Sequence, residues 1–398
     1  MSHENSLLEK WTPVLDSNRV EPIKNDHIRS VTAQLLENQE KYLQESGFNS
    51  IGGIQNWDPI LISLVRRMAP QLIAYDVCGV QAMTGPTGLI FALRAHYADP
   101  STGSVQAGPE ALFNEANTAY SGTGDHVGTD PWDAAYSTGT AMETTIAEGD
   151  HFERMGITIE SKSVTAKSRQ LAAEYSIELA QDLRAMHGLD ADSEITNILY
   201  TQIVTEVNRE IVRTIYAASS QGAQFATTAG TFDLFNDADG RWAEERYKNL
   251  IYAIERDANA IAIATRRGKG NIMITSADVA SALAMAGLLS YAPALKDQVD
   301  LNVDPAGPTF AGNLGRMRVF VDPYVSTDGV AIGYRGANPL DAGIFFCPYT
   351  SLEMVRAQRE DSFHPRIGFK QRYAITSNPF TTMTNNSYYR KFRIQNLV

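Results

Sequence analysis

The chain has 398 residues, 43% of them apolar and 20% charged, a composition that supports a sizeable core and excludes an intrinsically disordered protein. Its 34 Lys and Arg against 46 Asp and Glu give a formal net charge of −12, which argues against binding to nucleic acid because phosphates are repelled. This length exceeds what one compact core usually holds, so we expect several substructures or one extended subunit.

The two cysteines, Cys78 and Cys347, lie far apart in the sequence, which predicts neither a disulfide framework nor a thiolate metal site. The polar N-terminus argues against a secretory signal. The longest apolar stretch, residues 279–295, is interrupted by Ser and Pro and is shorter than a membrane span. We therefore expect a protein made in a reducing cytoplasm that does not contact membranes.

Residues 29–45 are rich in Gln, Glu and Leu, and Val31, Leu35 and Leu36 lie at helical spacing. This pattern predicts a short amphipathic helix. The glycine-rich residues 46–53 follow it and are typical of a flexible joint. We therefore expect residues 1–45 to form a removable N-terminal extension.

Residues 89–97 and 155–167 each show the composition of a strand, and the second segment alternates Ile, Ser and Thr. The intervening residues 98–154 are rich in Gly, Ser, Thr and Asp and show no periodicity. A loop of this length is uncommon inside a compact domain and usually contacts another molecule. The sequence therefore predicts a long, projecting, two-stranded arm over residues 89–167.

Apolar residues recur every three or four positions through residues 192–217, which predicts a long helix that serves as the spine of the fold. At about 1.5 Å per residue such a helix extends roughly 39 Å. Asp190 or Asp192 is expected to cap its N-terminus. Its polar face holds a like-charged pair four residues apart, Glu206 and Glu210, which we expect Arg209 and Arg213 to offset.

The segment after the spine helix predicts a second helix over residues 243–265, ended by the glycines at 268–270. A mixed α/β lobe is expected next, with a helix at 277–289 capped by Thr275 or Ser276. Strands are predicted at 271–275, 316–321, 330–334, 344–347 and 368–375. A Tyr- and Arg-rich tail ends the chain.

Signatures of catalysis and metal binding are missing from the sequence. Residues 266–270 resemble a phosphate loop only in Gly and Lys, and residues 236–240 match half of a calcium loop without its first and last ligands. The histidines lack the spacing of a metal pair: His3, His27, His96, His126, His151, His187 and His364. We expect no catalytic, cofactor-binding or metal site, and no enzyme. The architecture instead indicates a self-assembling structural protein.

Several sequence blocks are distinctive: WDPILISLVRR (57–67), LIAYDV (72–77), MTGPTGLIF (83–91), AKSRQL (166–171), HGLDA (187–191), EVNREIV (206–212), DAGI (341–344), PY (348–349), GFK (368–370) and NPF (378–380). Together these blocks resemble the major capsid proteins of T-even-type contractile-tailed phages. The resemblance spans most of the chain.

The resemblance implies an α+β protein of the HK97-type phage capsid fold. Its expected parts are an N-terminal extension (1–45), an N-arm (46–80), an extended loop (81–170), a peripheral domain with the spine helix (171–267), an axial domain (268–341) and a return to the peripheral domain (342–398). The implied function is a major capsid protein that assembles into hexameric capsomers of an icosahedral or prolate head around double-stranded DNA.

Proteins of this type are trimmed by a prohead protease that favours an aliphatic residue, any residue and Glu before a small residue. Residues 43–46 fit this motif, so the resemblance implies cleavage between Glu45 and Ser46. The implied partners are other copies of the chain, a vertex protein, the protease, a scaffold and decoration proteins. DNA would be enclosed without sequence-specific binding, in a virion assembled in the host cytoplasm.

Three alternatives stay open at this point. The first is the related vertex protein, which forms pentamers on the same fold. The second is a non-viral compartment shell, and the third is a cytoplasmic α/β enzyme. The sequence also departs from the longest family members, which carry an insertion domain in the extended loop, because residues 98–154 are too short and too rich in glycine for one.

Overall fold

The computed structural model describes residues 2–16, 23, 25–45, 68, 71–98, 108–112, 115–128, 131–132, 134–148, 152–238, 240, 242–287, 289–291, 309–338, 341–358 and 364–397. The predicted glycine joint at 46–53 and most of the predicted N-arm lie outside these residues. The chain forms two compact units, one of Met1–Gly88 with Ser163–Val398 and one of Leu89–Lys162. Both helices and strands contribute, as expected for an α+β protein.

The helices are Ser2–Leu15, Asp26–Glu45, Ala74–Val77, Thr144–Ala147, Ile177–Asp182, Ala191–Ala218, Ala243–Thr265 and Ala277–Met285, with a π-helical turn at Leu183–His187. The strands are β1 (Gly79–Val80), β2 (Thr87–Tyr97), β3 (Glu110–Ala111), β4 (Met155–Thr165), β5 (Lys167–Glu174), β6 (Ser219–Gln221), β7 (Thr231–Asp233), β8 (Ile272–Thr275), β9 (Leu289–Tyr291), β10 (Thr309–Leu314), β11 (Met317–Val321), β12 (Gly329–Gly333), β13 (Ile344–Gln358), β14 (Pro365–Ser377) and β15 (Asn386–Gln395).

Three sheets organise these strands. A four-stranded sheet has the order β1-β13-β14-β5, in which β14 runs antiparallel to β13 and β5. An eight-stranded sheet has the order β6-β15-β12-β8-β11-β10-β9, and β7 also pairs with β15. The third sheet, β3-β2-β4, belongs to the unit Leu89–Lys162.

The spine helix, Ala191–Ala218, extends one residue beyond the prediction at each end. Its apolar stripe, including Ile203, Val207 and Ile211, is buried in the core cluster that contains Ile367 and other residues of the four-stranded sheet. Asp190 occupies the N-cap position, one of the two that were predicted, but the expected capping hydrogen bond is missing. The Asp190 side chain makes no capping hydrogen bond, and the Asp192 carboxylate accepts a hydrogen bond from the Tyr175 hydroxyl instead.

The second predicted helix has the expected bounds, Ala243–Thr265. Its C-cap residue is Arg266, which lies in the left-handed region (φ 52°), and not one of the predicted glycines. The third helix ends at Met285, four residues earlier than predicted, and Gly287 follows it with φ +73°. Its N-terminus is capped by Ser276, whose hydroxyl accepts a hydrogen bond from the Val279 amide.

Strands β13 and β14 are much longer than the predicted segments 344–347 and 368–375. The second half of β13 lacks the apolar pattern that identifies a strand, because most of its side chains are exposed. The tail forms β15, a strand inside the eight-stranded sheet, where Tyr389, Phe392 and Ile394 are buried.

The predicted N-terminal extension contains one helix more than expected. The predicted helix begins at Asp26, three residues earlier than position 29, and a first helix, Ser2–Leu15, precedes it. The first helix was missed because Pro13, a residue that disfavours helix interiors, lies inside it. No helix of the described residues is long and apolar enough to cross a membrane.

Candidate functional site

The predicted cleavage site lies at the end of the extension. Glu45 is the last residue of the helix Asp26–Glu45, and Ser46 lies outside the described residues. The bond between them therefore follows a helix C-terminus, where the last carbonyl groups lack helical partners and the backbone frays. A protease needs an extended substrate, and a helix end supplies one more easily than a helix interior.

The two helices of the extension pack against each other. Trp11, Leu15, Ala33 and Leu36 form a small buried cluster between them. Lys10 Nζ lies 2.8 Å from Glu37 Oε2 and 2.5 Å from Glu40 Oε2. The hydrogen bond to Glu37, followed by that to Glu40, raises the pKa of Lys10. Residues 2–16 and 25–45 thus form a helical hairpin with its own small core.

The second helix of the hairpin also binds the rest of its unit through polar side chains. Asn38 Nδ2 donates to two backbone carbonyls, those of Met83 (2.7 Å) and Tyr349 (3.0 Å). The Ser351 hydroxyl donates to Gln39 Oε1 at 2.6 Å, and His27 Nε2 lies 3.0 Å from the Val80 carbonyl oxygen.

These contacts join the predicted extension to strands β1 and β13 of the four-stranded sheet and to the Met83 carbonyl. Val31 and Leu35, on the same helix, are buried in the core cluster of that unit. Cleavage after Glu45 would separate both the polar and the apolar contacts from the chain that remains.

The arm carries an exposed apolar face, formed by strands β2 and β4. The Ala98 amide donates to the Arg154 carbonyl at 2.9 Å, and antiparallel pairing from that point places Leu93 opposite Ile159. Alternate residues therefore share one face. Its apolar members are 51% to 70% exposed: Leu89, Phe91, Leu93, Met155, Ile157 and Ile159.

The opposite face of these strands carries an ion-pair cluster, in which Arg94 lies 3.7 Å from the carboxylates of both Glu110 and Glu160. A strand pair of one copy thus presents a contiguous row of aliphatic and aromatic side chains to solvent. Such a patch marks a surface that contacts another protein.

The arm also holds most of the net negative charge of the chain. Residues 98–153 contain ten Asp and Glu and no Lys or Arg, so they carry −10 of the formal net charge of −12. The predicted arm differs from the structure in two details. The third strand β3 joins it, and the bridges Thr123↔Thr140 and Val127↔Ser137 order part of the loop.

A polar cluster connects the spine helix to the four-stranded sheet. Arg169 of β5 donates to Glu206 at 2.7 Å and to Glu210 at 2.5 Å, and its Nε donates to the Tyr373 hydroxyl at 2.9 Å. The Tyr373 hydroxyl donates in turn to Glu210. We call these four residues the Arg169 cluster. It borders a cavity of about 600 Å³ between β5, β14 and the helix.

The Arg169 cluster corrects the expectation that Arg209 and Arg213 offset the Glu206 and Glu210 pair. The counter-charge comes from strand β5 and not from the helix itself, and Arg209 instead binds Asp322 at 2.5 Å. The hydrogen bond from Gln202, and then that from Arg169, lowers the pKa of Glu206 against the opposing effect of burial. Arg169 could not be identified from a local pattern because it lies 37 positions before Glu206 in the chain.

The candidate metal ligands of the sequence do not come together in the part of the chain that the structure describes. No group of His, Cys, Asp and Glu there could hold a metal ion. Burial raises the pKa of the Cys78 and Cys347 thiols to about 12 each. Asp237, from the half calcium loop, accepts hydrogen bonds from the backbone amide and hydroxyl of Thr227 and stabilises a turn. Asp239 lies outside the described residues.

Comparison with known proteins identifies close relatives. Residues 54–394 match the family described as major capsid protein Gp23. The major capsid protein of Salmonella phage ViI is 42% identical over 407 residues, which cover 96% of this chain and 91% of that protein. The major capsid protein of Enterobacteria phage T4 is 34% identical over 478 residues, which cover 94% of this chain and 91% of that protein. The second alignment is longer than this chain, so that relative has residues without a counterpart here.

A more distant relative is the capsid vertex protein of Enterobacteria phage T4. It is 27% identical over 232 residues, which cover 54% of this chain and 51% of that protein. Among solved structures, a chain of Microbacterium phage Oxtober96 is similar with a TM-score of 0.42 and 11% identity, over 81% of this chain and 91% of that one.

Proposed function

The chain belongs to the Gp23 family of major capsid proteins of contractile-tailed phages, and from this premise we propose that it assembles into the hexameric capsomers of an icosahedral or prolate head. It is a structural protein of the virion and not an enzyme. The proposed architecture is the HK97-type shell fold, with an N-arm (46–80), an extended loop (81–170), a peripheral domain (171–267 and 342–398) and an axial domain (268–341).

The observation that carries the proposed assembly is the exposed apolar face of the arm. Six large apolar side chains at 51% to 70% exposure are unfavourable in an isolated copy. Full burial of one such side chain is worth roughly 1.5–3 kcal/mol, so a neighbouring copy that covers this face gains several kcal/mol per arm. The arm then stabilises the lattice and not the subunit that carries it.

Maturation by a prohead protease is the second part of the proposal. The described residues of the extension, 2–16 and 25–45, form a helical hairpin with its own buried cluster, so the extension can leave as one piece. Its junction at Glu45 and Ser46 combines the protease motif with a helix end. Before cleavage the hairpin would face a scaffold, and assembly would take place in the host cytoplasm.

The remaining proposed partners follow from the same role. A vertex protein would close the corners of the lattice, and decoration proteins would brace the outside. Double-stranded DNA would be enclosed without sequence-specific binding. The acidic segment 98–153 supports this last point, because ten carboxylates without a Lys or Arg repel a phosphate backbone.

The alternative to the major capsid role is that of the vertex protein, which has the same fold. The 42% identity to a major capsid protein over 96% of the chain favours the major capsid role over the vertex role, for which the match is 27% over 54%. Copy number per particle, from quantitative mass spectrometry, separates the two roles, because a vertex protein is far scarcer.

Electron cryomicroscopy of purified particles tests the proposed function. The expected result is a closed lattice of hexamers of this chain, with density for a neighbouring subunit over Leu93 and Ile159. N-terminal sequencing of the same particles should begin at Ser46. A monomer bound inside the virion would contradict the assembly role. Particles with a lattice but a chain that still begins at Met1 would contradict only the maturation step.

A further inference from the structure

The long hairpin of β13 and β14 changes register twice near its middle. Pro348 pairs with Tyr373, Thr350 with Arg372, and Glu353 with Lys370. Each step places one additional residue of β13 against β14, which is the definition of a β-bulge. The first extra residue is Tyr349, and the second lies between Thr350 and Glu353.

Unsatisfied polar atoms collect at these two bulges. The Thr350 hydroxyl, both polar atoms of the Gln371 amide and Arg372 Nε are buried and have no hydrogen-bond partner among the described residues. Gln371 is only 1% exposed and Thr350 only 4%, so water cannot easily replace the missing partners. Buried polar groups without partners cost free energy and are rare in native proteins. This section of the sheet is therefore less stable than a regular ladder.

The removable extension binds this same section. Asn38 donates to the carbonyl of Tyr349, the extra residue of the first bulge. Gln39 accepts a hydrogen bond from Ser351, which lies in the second bulge. Two neighbouring residues of the helix Asp26–Glu45 thus hold both irregular positions of β13 in place.

An alternative register is available to the second half of β13. If the pairing of Ile344 to Pro348 continued without bulges, Thr350 would face Gln371 and Leu352 would face Phe369. Residues 353–358 would shift by two positions, and a shift of two keeps each of their side chains on its present face of the sheet. Thr350 and Gln371 would then be cross-strand neighbours, able to satisfy each other by a hydrogen bond.

We propose that the helix Asp26–Glu45 holds β13 in its bulged register, and that removal of the extension lets residues 353–358 slide by two positions along β14. The two residues released from the bulges pass into the connection between the strands. This inference rests on the proposed cleavage after Glu45. It adds a regulated conformational change inside each subunit, whose trigger is the loss of contacts from Asn38 and Gln39.

Two pairs of introduced cysteines, which share position 366, distinguish the present register from the register shifted by two. Ala357 faces Arg366 in the present register, whereas Val355 would face it after a shift of two. All three residues are exposed, and the two pairs occupy equivalent positions of the ladder. We expect oxidised Ala357→Cys/Arg366→Cys to form a disulfide in full-length chains. The pair Val355→Cys/Arg366→Cys should form one only in trimmed particles. The native thiols of Cys78 and Cys347 are buried and should not interfere.

Trimmed particles in which only the pair 357/366 forms a disulfide would overturn the inference while leaving the proposed function intact. The full-length chain provides a test that does not depend on cleavage. Asn38→Leu removes both donated hydrogen bonds but keeps the side-chain volume, and should increase the yield of the 355/366 disulfide by roughly tenfold or more.

Lys41→Gln is the matched control for Asn38→Leu, because Lys41 is exposed on the same helix. It should leave the ratio of the two disulfides unchanged. A retained 357/366 disulfide and an unchanged circular dichroism spectrum show that Asn38→Leu still folds. If the ratio of the two disulfides is unchanged in this folded variant, the helix Asp26–Glu45 does not keep β13 in its bulged register. This conclusion does not depend on whether the extension is cleaved in particles.

Discussion

Replacement of Arg169 by Ala should destabilise the chain through the Arg169 cluster. Three hydrogen bonds from the guanidinium are lost, at 2.5 to 2.9 Å, and Glu206 and Glu210 are left four residues apart without their counter-charge. Hydrogen bonds to charged groups are worth roughly 1.5–3 kcal/mol each when buried. The three charged side chains are 31% to 41% exposed, so solvent screens much of this energy. We expect a loss of about 2–3 kcal/mol.

The assay is urea unfolding of the unassembled chain, followed by circular dichroism. Arg184→Ala is the matched control, because its ion pair with Asp190 is 78% and 57% exposed and is expected to contribute less than about 0.5 kcal/mol. A double-mutant cycle of Arg169→Ala with Glu210→Gln then isolates the pairwise interaction. Equal effects of Arg169→Ala and Arg184→Ala would refute the structural role of the cluster.

The pH dependence of this difference has a definite sign. The pKa of Glu206 is lowered in the folded chain, by Gln202 and then by Arg169, from its ordinary value of 4.5. A carboxylate with a lowered folded pKa contributes stability that is complete above the unfolded pKa and is lost as the pH falls through the folded pKa. The stability difference between the native chain and Arg169→Ala should therefore be largest above pH 4.5 and shrink below it. A difference that grows on acidification would contradict this account.

Three further predictions concern assembly, maturation and the core. Leu93→Asp should leave the fold intact and abolish particles in electron micrographs, because it places a charge on the apolar face of the arm. The control Ile146→Asp changes an exposed site of the same unit outside that face and should assemble normally. Glu45→Gln should yield particles whose chain begins at Met1, whereas Gln44→Ala, at the motif position that accepts any residue, should still be trimmed. Asn208→Leu should cost roughly 2–4 kcal/mol in urea unfolding, because its buried amide joins the Ile73 amide to the Gln71 carbonyl, and both partners would be left unsatisfied.

Periodic segments were the part of the fold that sequence analysis predicted well. The helices 192–217 and 243–265 were found within one residue, because an apolar residue every three or four positions is a local pattern. The second half of β13 and the tail strand β15 were missed. Their strand geometry depends on neighbours that are distant in the chain. The exposed residues of β15 include Lys391 and Arg393.

The site was predicted to a similar extent. The arm was found because it is a long segment of unusual composition. Cleavage between Glu45 and Ser46, which the resemblance implies from a short motif, stays a prediction. The residues that hold the extension to the sheet could not be found this way. Asn38 and the Tyr349 carbonyl that it binds are 311 positions apart, and a backbone carbonyl leaves no trace in the residue type.

The amino-acid sequence by itself determined the family, the α+β class, the two long helices and the position of the arm, since these depend on local patterns and on motifs of neighbouring residues. Only the tertiary structure decided which charges meet and where the ladder is irregular. Arg169 became the counter-charge of Glu206 and Glu210 because β5 packs beside the spine helix. The bulges of β13 became visible only through its pairing with β14. Both features are set by contacts between distant segments, whose geometry depends on the packing of the whole unit.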